Sequence, residues 1–293
     1  MWVLLALACA FLVGENVMST SAVTSRASPM ERRVLQPGQL GGSADDAGGE
    51  LPASSGQAAE FVPGEIPSWV DLGKQRPASQ AHHERNLQDV ARINEEGVQY
   101  DLLQYGDSLT ALLRDYKAEV WDQVFPPDQI LATPLGMGGS TLEELAARLV
   151  YGGEAPDIPP KVVVLLAGYN NARYVKRTDP AELMDWILQW LRYSWPDTHI
   201  ALSALLPNAY IDLTSLNEKY AQLAEDRGAL FFDCNERLDP ASTSQFGDGT
   251  HWLPEGQRMW LECMREAVGP LLDGWEVPGS GGGSSGNGTA AAQ

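Results

Sequence analysis

The chain has 293 residues and a formal net charge of -19 at pH 7, and its length allows one large domain or two small ones. Proteins that bind nucleic-acid phosphates do so with clustered lysines and arginines, and the absence of a basic stripe argues against a nucleic-acid partner. The same charge disfavours anionic membranes and polyanionic substrates.

The chain begins with an apolar run of 13 residues, MWVLLALACAFLV. This run is too short to span a bilayer comfortably and has the length of a signal-peptide core. We therefore interpret residues 1–25 as a signal peptide and expect a secreted or secretory-pathway protein, with no stable membrane span in the mature chain. A short uncleaved anchor is the alternative, because no positive charge precedes the run.

Two further segments have the composition of flexible chain. Residues 26–80 are rich in Pro, Gly, Ser and Ala and cannot bury enough apolar surface to offset the entropy of ordering. The Gly- and Ser-rich residues 276–293 resemble a flexible tail for the same reason. These boundaries predict one domain over residues 81–275.

Within this domain, apolar strand-like runs alternate with segments of helical periodicity, which is typical of an α/β domain with a mostly parallel sheet. The five predicted strands are VQYDLLQY, QILATPL, KVVVLLAG, HIALSALL and ALFFD. KVVVLLAG is almost wholly apolar, as expected of a central parallel strand that is buried on both faces. We predict a three-layer α/β/α sandwich with a flavodoxin-like core.

Several helix boundaries carry their own signals. Ser140 and Glu143 have capping-box spacing before an apolar run. Asp179 is a predicted N-cap, with Pro180 at the first helical position. Gly228 is predicted to end a later helix.

The cysteines leave the question of a disulfide open. One of the three lies in the predicted signal peptide, so Cys234 and Cys263 remain as a candidate pair. An oxidising compartment would permit a bridge between them, but their spacing does not require one.

Residues suited to chemistry follow four of the predicted strands. They are Ser108 after the first strand, Gly139 after the second, Asn170 after the third, and Asp248 and His251 after the fifth. In a parallel sheet the loops after the strands emerge at the same edge, where ligands bind. We therefore expect these residues to converge.

Attack of a serine on an ester requires a base, a group that orients the base, and donors for the oxyanion. His251 is the candidate base, because two other histidines precede the first strand and His199 begins the fourth strand at the opposite edge. Asp248 can orient it from the same loop. The backbone N–H groups of Ser108 and Gly139 and the side-chain amide of Asn170 are the candidate oxyanion donors.

Each of these residues also has a structural explanation when it is considered alone. Ser108 can simply cap a helix, and the glycines, Asn170 and Asp248 can simply form turns. Their joint occurrence at strand ends has little structural reason, and this favours the catalytic interpretation.

The segments GDS, GMGG, GYNN and DGTH follow the order of the four conserved blocks of the SGNH, or GDSL, hydrolases, a superfamily that the domain resembles. Over residues 98–270 the chain is most similar to the catalytic subunits of platelet-activating-factor acetylhydrolase, through GMGGSTLEELAARLVYGGE, PKVVVLLAGYNNA and SALLPNAY. The resemblance implies the SGNH hydrolase fold. It also implies the same roles as above for Ser108, Gly139, Asn170, Asp248 and His251.

The chain departs from the pattern of that superfamily at a few positions. Tyr169 stands where Thr is common, Asn171 where many members have Asp, and Pro134 near a position that is often Asn. These changes affect the rim of the pocket and leave the substrate open. The residues predicted to contribute to the pocket are Asp107, Tyr169, Asn171, Arg173, Tyr174 and Trp252.

The sequence thus predicts a serine esterase that hydrolyses short acyl esters, acetyl esters first, of a small molecule, a lipid or a polysaccharide. An acyltransferase with the same triad and a non-catalytic binding module on the same fold are the alternatives. We predict no cofactor and no metal, because no His or Cys pair has ligand spacing and no phosphate-binding G-x-x-x-x-G-K occurs. The oligomeric state stays open.

Overall fold

Five short strands form one parallel sheet in the computed structural model, which describes residues 61–73, 76–116, 118–175 and 178–272. The strands are β1 (Leu102–Gly106), β2 (Ala132–Gly136), β3 (Val162–Leu166), β4 (His199–Ser203) and β5 (Leu230–Phe232). They lie in the order β2-β1-β3-β4-β5, and every neighbouring pair is parallel. The predicted α/β class and the five predicted strands are confirmed, and the sheet is wholly rather than mostly parallel.

Eight α-helices of the described residues pack around the sheet. They are α1 (Pro77–Glu96), α2 (Ser108–Asp115), α3 (Ala118–Val124), α4 (Leu142–Val150), α5 (Tyr169–Tyr174), α6 (Pro180–Ser194), α7 (Thr214–Asp226) and α8 (Pro254–Val268). Helices α2, α3 and α8 form one packed group, and α4, α6 and α7 form another, as expected for a three-layer sandwich. None of the described helices combines the length and apolarity needed to cross a membrane.

Strands β1 and β3 are covered on both faces. All five residues of each strand are buried. In β3 these are three valines and two leucines, and the β-branched valines favour an extended backbone. Burial of each such side chain contributes about 1.5–3 kcal/mol, so the apolar run explains both the strand and its central position.

The helix boundaries match the sequence signals with one correction. Asp179 caps α6 as predicted, and its carboxylate accepts a hydrogen bond from the N–H of Ala181. The capping box of α4 was predicted at Ser140 and Glu143, but it forms one residue later, at Thr141 and Glu144. The shift arises because Ser140 belongs to the preceding turn, in which its N–H donates to the carbonyl of Met137.

The domain begins earlier than the predicted boundary at residue 81. Within the segment predicted as a linker, Val70 and Ser79 are buried, Phe61 and Trp69 pack against the core, and α1 starts at Pro77. The correction has a physical basis, because these side chains bury apolar surface that the average composition of residues 26–80 conceals. The predicted signal peptide, most of the linker and the predicted tail lie outside the described residues.

A buried ion pair links α4 to the ends of two strands. Arg148 and Glu154 are both fully buried, with 2.7 Å between Nη2 and Oε2. Arg148 also donates to the carbonyl of Gly106 at the end of β1 and to that of Leu135 in β2. Glu154 lies 2.6 Å from Nδ1 of His83 on α1. The pair therefore connects α4 to α1, β1 and β2 near the carboxyl edge of the sheet.

Replacement of Arg148 should destabilise the fold strongly. Arg148→Met leaves the Glu154 carboxylate buried without its main partner, and we expect a loss of about 3–5 kcal/mol in the free energy of unfolding. The matched control Arg237→Met breaks an exposed pair with Glu266 and should cost about 1 kcal/mol or less. Urea unfolding followed by circular dichroism measures both values. Equal losses in the two variants would contradict the proposed role of Arg148.

Asp107 is a buried carboxyl group at the start of α2. It is the N-cap of that helix, and its Oδ1 accepts a hydrogen bond of 3.0 Å from the N–H of Leu109. Burial raises the pKa of Asp107 to about 6, although the Leu109 hydrogen bond and the electrostatic interactions with His251 and Arg148 act in the opposite direction. The folded state thus binds this proton more tightly than the unfolded state does.

The pKa of Asp107 predicts a pH-dependent difference between the wild type and Asp107→Asn. Between the unfolded and folded pKa values the native wild type binds the extra proton, so its stability falls as the pH rises. From about pH 4 to about pH 7, the wild type should lose roughly 2–3 kcal/mol relative to Asp107→Asn, which keeps a capping side chain but has no carboxyl group. Urea unfolding of both proteins at the two pH values tests this, and a constant difference would count against it.

Candidate active site

The loops that follow the strands line a cavity of about 750 Å³ at the carboxyl edge of the sheet. All five residues singled out as catalytic or oxyanion candidates border it: Ser108, Gly139, Asn170, Asp248 and His251. They come from four separate loops, so the fold brings together residues that lie up to 143 positions apart. The expected convergence is present in the structure.

Ser108, His251 and Asp248 form a continuous chain of hydrogen bonds. Oγ of Ser108 lies 3.0 Å from Nε2 of His251, and Nδ1 of His251 lies 2.8 Å from Oδ2 of Asp248. Because an ionised carboxylate can only accept, Nδ1 carries the proton, and Nε2 of the neutral ring is free to accept from the serine hydroxyl. The arrangement is that of a nucleophile, a base and an orienting acid.

Asp248 is held in its ionised form. Partial burial acts to raise its pKa, but the hydrogen bonds from the His251 ring and from the backbone N–H groups of His251 and Thr250 outweigh burial and lower the pKa to about 2. The carboxylate therefore accepts from the imidazole across the neutral pH range. It also fixes the turn that presents His251 to Ser108.

Ser108 is the first residue of α2 and leaves the capping role to its neighbour. The Asp107 side chain provides the N-cap, so the Ser108 hydroxyl is free to face His251. At this position the unpaired N–H groups and the dipole of the first helical turn favour negative charge. The Ser108 hydroxyl therefore lies at a helix start that favours the negative charge of an oxyanion formed on a bound ester.

Gly139 and Asn170 border the same side of the cavity. Gly139 has a φ of 75°, a backbone conformation that favours glycine. The amides on either side are already used, since Gly138 donates to His82 and Ser140 donates to Met137. Within the described part of the chain the Gly139 N–H has no such acceptor.

The Asn170 side chain is held in place by a hydrogen bond from its amide to the backbone of Ser140. Its Nδ2 donates to the carbonyl of Ser140 at 2.9 Å and makes only a long contact of 3.5 Å with Asp107. The second N–H of this amide is thus weakly engaged. The turn that starts α5 depends on Gly168, which has a φ of 122° and whose added Cβ would lie 2.2 Å from the hydroxyl of Tyr220.

Helix α1 holds the backbone of Gly138 at both its N–H and its carbonyl. Nδ1 of His82 accepts from the Gly138 N–H at 2.9 Å, and Oγ of Ser79 donates to the Gly138 carbonyl at 2.7 Å. Nε2 of His82 in turn contacts Asp115 at 2.8 Å, so His82 is the tautomer with hydrogen on Nε2. His82 is one of the two histidines that precede the first strand and were therefore not expected in the site.

Three of the six predicted pocket residues line the cavity: Tyr169, Arg173 and Tyr174. The other three do not, and each is buried. Asp107 lies beneath the cavity as the cap of α2.

Asn171 and Trp252 have structural surroundings. Asn171 accepts a hydrogen bond from the N–H of Leu142 and donates to Glu143, so it joins α5 to α4. Trp252 packs on Trp260, with 5.2 Å between ring centroids. Neither side chain lines the cavity as predicted, because each is buried in these contacts.

Sequence reasoning missed several residues of the cavity wall: Arg76, Ser79, Thr141, Glu144, Val175, Tyr210 and Thr250. Arg76 and Ser79 lie in the predicted linker. Tyr210 lies in the loop after β4, and the rule that loops after strands carry the site would have identified it. Its hydroxyl donates to the carbonyl of Asp248.

A disulfide joins Cys234 to Cys263, which the sequence left open. The bond connects the segment after β5 to α8. The loop that it closes contains Asp248 and His251, so the covalent link limits the freedom of these residues.

The sequence profile of the GDSL-like Lipase/Acylhydrolase family matches residues 105–259, just over half of the chain. The chain is 34% identical over 107 residues to platelet-activating factor acetylhydrolase IB subunit alpha2 of Rattus norvegicus, which covers 36% of this chain and 44% of that protein. It is 28% identical over 177 residues to the alpha1 subunit of the same organism, which covers 60% of this chain and 66% of the relative.

A solved structure supports the fold. The family 3 carbohydrate esterase of Clostridium thermocellum superposes with a TM-score of 0.50 at 14% identity, over 60% of this chain and 98% of the esterase. The matched family region contains all five candidate residues of the cavity. The chain therefore belongs to the GDSL-like Lipase/Acylhydrolase family, as the resemblance in its sequence implied.

Proposed function

We propose that the protein is a serine esterase that hydrolyses short acyl esters, acetyl esters first, through an acyl-enzyme. The observation that carries the proposal is the hydrogen-bonded chain from Ser108 through His251 to Asp248 inside the cavity. A serine, a base and an orienting carboxylate in this order are the groups that nucleophilic acyl transfer requires.

In the first step Oγ of Ser108 attacks the carbonyl carbon of the ester while Nε2 of His251 takes the hydroxyl proton. The imidazolium that forms is stabilised by the ionised Asp248 beside Nδ1. His251 then gives the proton to the leaving alcohol as the tetrahedral intermediate collapses.

The developing oxyanion is stabilised by the backbone N–H groups of Ser108 and Gly139 and by the Asn170 amide. Each oxyanion donor typically contributes about 3 kcal/mol of transition-state stabilisation. In the second half of the reaction water attacks the acyl carbon while His251 takes one of its protons; the bond from Oγ of Ser108 to the acyl group then breaks, His251 returns the proton to Oγ, and the carboxylic acid leaves. No external cofactor is needed for either half.

The acetyl group is the part of the proposal that rests on relatives. The matched subunits of Rattus norvegicus are named acetylhydrolases, and the chain shares 34% identity with one of them over 107 residues. A short acyl group is accordingly the first one to test.

Replacement of the nucleophile tests the mechanism. Ser108→Ala should lower kcat for p-nitrophenyl acetate by at least about 10³-fold, because the acyl-enzyme can no longer form. The matched control Ser244→Ala removes an exposed hydroxyl whose hydrogen bond is to Ser242, and it should retain full activity. A fluorophosphonate probe should label the wild type and not Ser108→Ala. Unchanged hydrolysis by Ser108→Ala would sink the assignment.

The hydrogen bond from the Gly138 N–H to His82 predicts that His82, which lies outside the triad, affects kcat. His82→Leu removes the acceptor of the Gly138 N–H, and we expect kcat to fall by about 10- to 100-fold with a smaller change in KM, because misplaced groups act mainly on the transition state. His82→Asn places an amide oxygen near the position of Nδ1 and should restore much of the rate.

Thermal unfolding of both variants serves as the control for this experiment. Both lose the contact with Asp115, so a purely structural role of His82 would lower kcat and stability equally in the two. That result would count against the proposal that His82 positions the loop of Gly138 and Gly139.

A further inference from the structure

Arg173 lies on the cavity wall within a cluster of three tyrosines, Tyr169, Tyr174 and Tyr210. Its guanidinium carbon lies 5.8, 5.1 and 4.7 Å from the three ring centroids, respectively. Nη1 donates to the Tyr169 hydroxyl at 2.5 Å. Tyr174 and Tyr210 are 66% and 62% exposed, so the cluster stands at the mouth of the cavity. These contacts restrict the guanidinium before any ligand binds.

The charge of Arg173 has no anionic neighbour within the described part of the chain. The ion pairs formed there do not include Arg173. Arg76, the other arginine of the cavity wall, differs because a carboxylate lies near enough to interact with its charge: burial raises the pKa of Glu144, and Arg76 is among the groups that act in the opposite direction. Arg173 is therefore a fixed and uncompensated cation in a chain with a formal net charge of -19.

The guanidinium is connected to the reacting groups through two side chains. The Tyr169 hydroxyl that accepts from Arg173 lies 3.4 Å from Oγ1 of Thr250. Thr250 precedes His251 in the chain and is held by the same Asp248 carboxylate. Arg173 and Ser108 also border the same cavity of about 750 Å³, so an ester that occupies the cavity is offered both groups.

We propose that Arg173 binds an anionic group, a carboxylate or a phosphate, that the ester substrate carries beyond its scissile bond. The planar guanidinium offers donors in a fork that matches both groups. Arg173 lies over the tyrosine rings, so those faces are occupied by the cation, which disfavours the stacking of a sugar on them. The inference rests on the proposed esterase function and names a class of substrate for the same cavity.

The first test compares three acetate esters that differ in the group opposite the acetyl: 4-acetoxybenzoate, 4-acetoxyphenyl phosphate and the neutral 4-acetoxybenzamide. For each ester, kcat/KM is divided by the rate of the uncatalysed reaction. We expect the wild type to prefer at least one anionic ester over the neutral one by about 10-fold or more. The benzoate and phosphate esters show which anion is preferred.

Variants of Arg173 decide whether that residue causes the preference. Arg173→Gln should bring the ratio of anionic to neutral ester close to one, and Arg173→Lys should retain part of the preference because it keeps the charge but loses the fork. The matched control Arg237→Gln removes a cation that pairs with Glu266, and its ratio should equal that of the wild type. A ratio that is the same in the wild type and Arg173→Gln, with hydrolysis that depends on Ser108, overturns the inference and leaves the esterase proposal intact.

Binding without turnover separates the two proposals. In calorimetry, Ser108→Ala protein should bind 4-hydroxybenzoate or phenyl phosphate about 10-fold more tightly than 4-hydroxybenzamide, and Arg173→Gln in the same background should remove this difference. Anion binding that depends on Arg173, combined with hydrolysis that does not depend on Ser108, would overturn the esterase mechanism alone. A lack of Arg173-dependent binding overturns the anion site. Equal melting temperatures of the variants exclude misfolding as the cause.

Discussion

The ion pair of Arg148 and Glu154 is the interaction on which the site edge of the sheet depends. Removal of two charges from water costs several kcal/mol for each ion, and the cost is offset only where every charged atom has partners. Arg148 meets this condition through Glu154 and the carbonyls of Gly106 and Leu135. The loops that carry Ser108, the proposed nucleophile, and Gly139, a proposed oxyanion donor, leave β1 and β2 within a few residues of these carbonyls. Their positions are thus fixed from below by one buried network.

The same network extends to α1, which lies before the matched family region of residues 105–259. Asn86 and His83 contact Glu154, and one turn earlier on the same helix His82 and Ser79 hold the two ends of the Gly138 peptide. A backbone loop rich in glycine has little stiffness of its own. Here its geometry is supplied by polar side chains of a neighbouring helix. The family region and a helix outside it therefore build the proposed oxyanion site together.

Most of the sheet and the catalytic candidates were predictable from the sequence. Apolar runs mark the strands, and the residues that follow parallel strands are expected at one edge of the sheet. An apolar run such as β3 identifies itself, and parallel strands bring Ser108 and His251 to one edge whatever lies between them. Helix α1 was not predicted from the sequence, because its buried polar residues acquire partners only in the folded chain. Trp252 and Asn171 were assigned to the pocket from their neighbours in sequence, but consecutive side chains in a turn or a helix point in different directions.

The acidic composition of the chain and the positive charge of Arg173 act over different distances, so they do not conflict. A net charge of -19 repels anions at long range, but salt screens such repulsion over about 8 Å at physiological ionic strength. At contact distance only the groups that face the ligand matter, and these include Arg173, which the tyrosines hold without an opposing carboxylate. The composition therefore argues against extended polyanions, which meet the whole surface, and not against a small ester with a single anionic group. Such an ester would meet the guanidinium of Arg173 at contact distance, where the charge of the distant surface is screened.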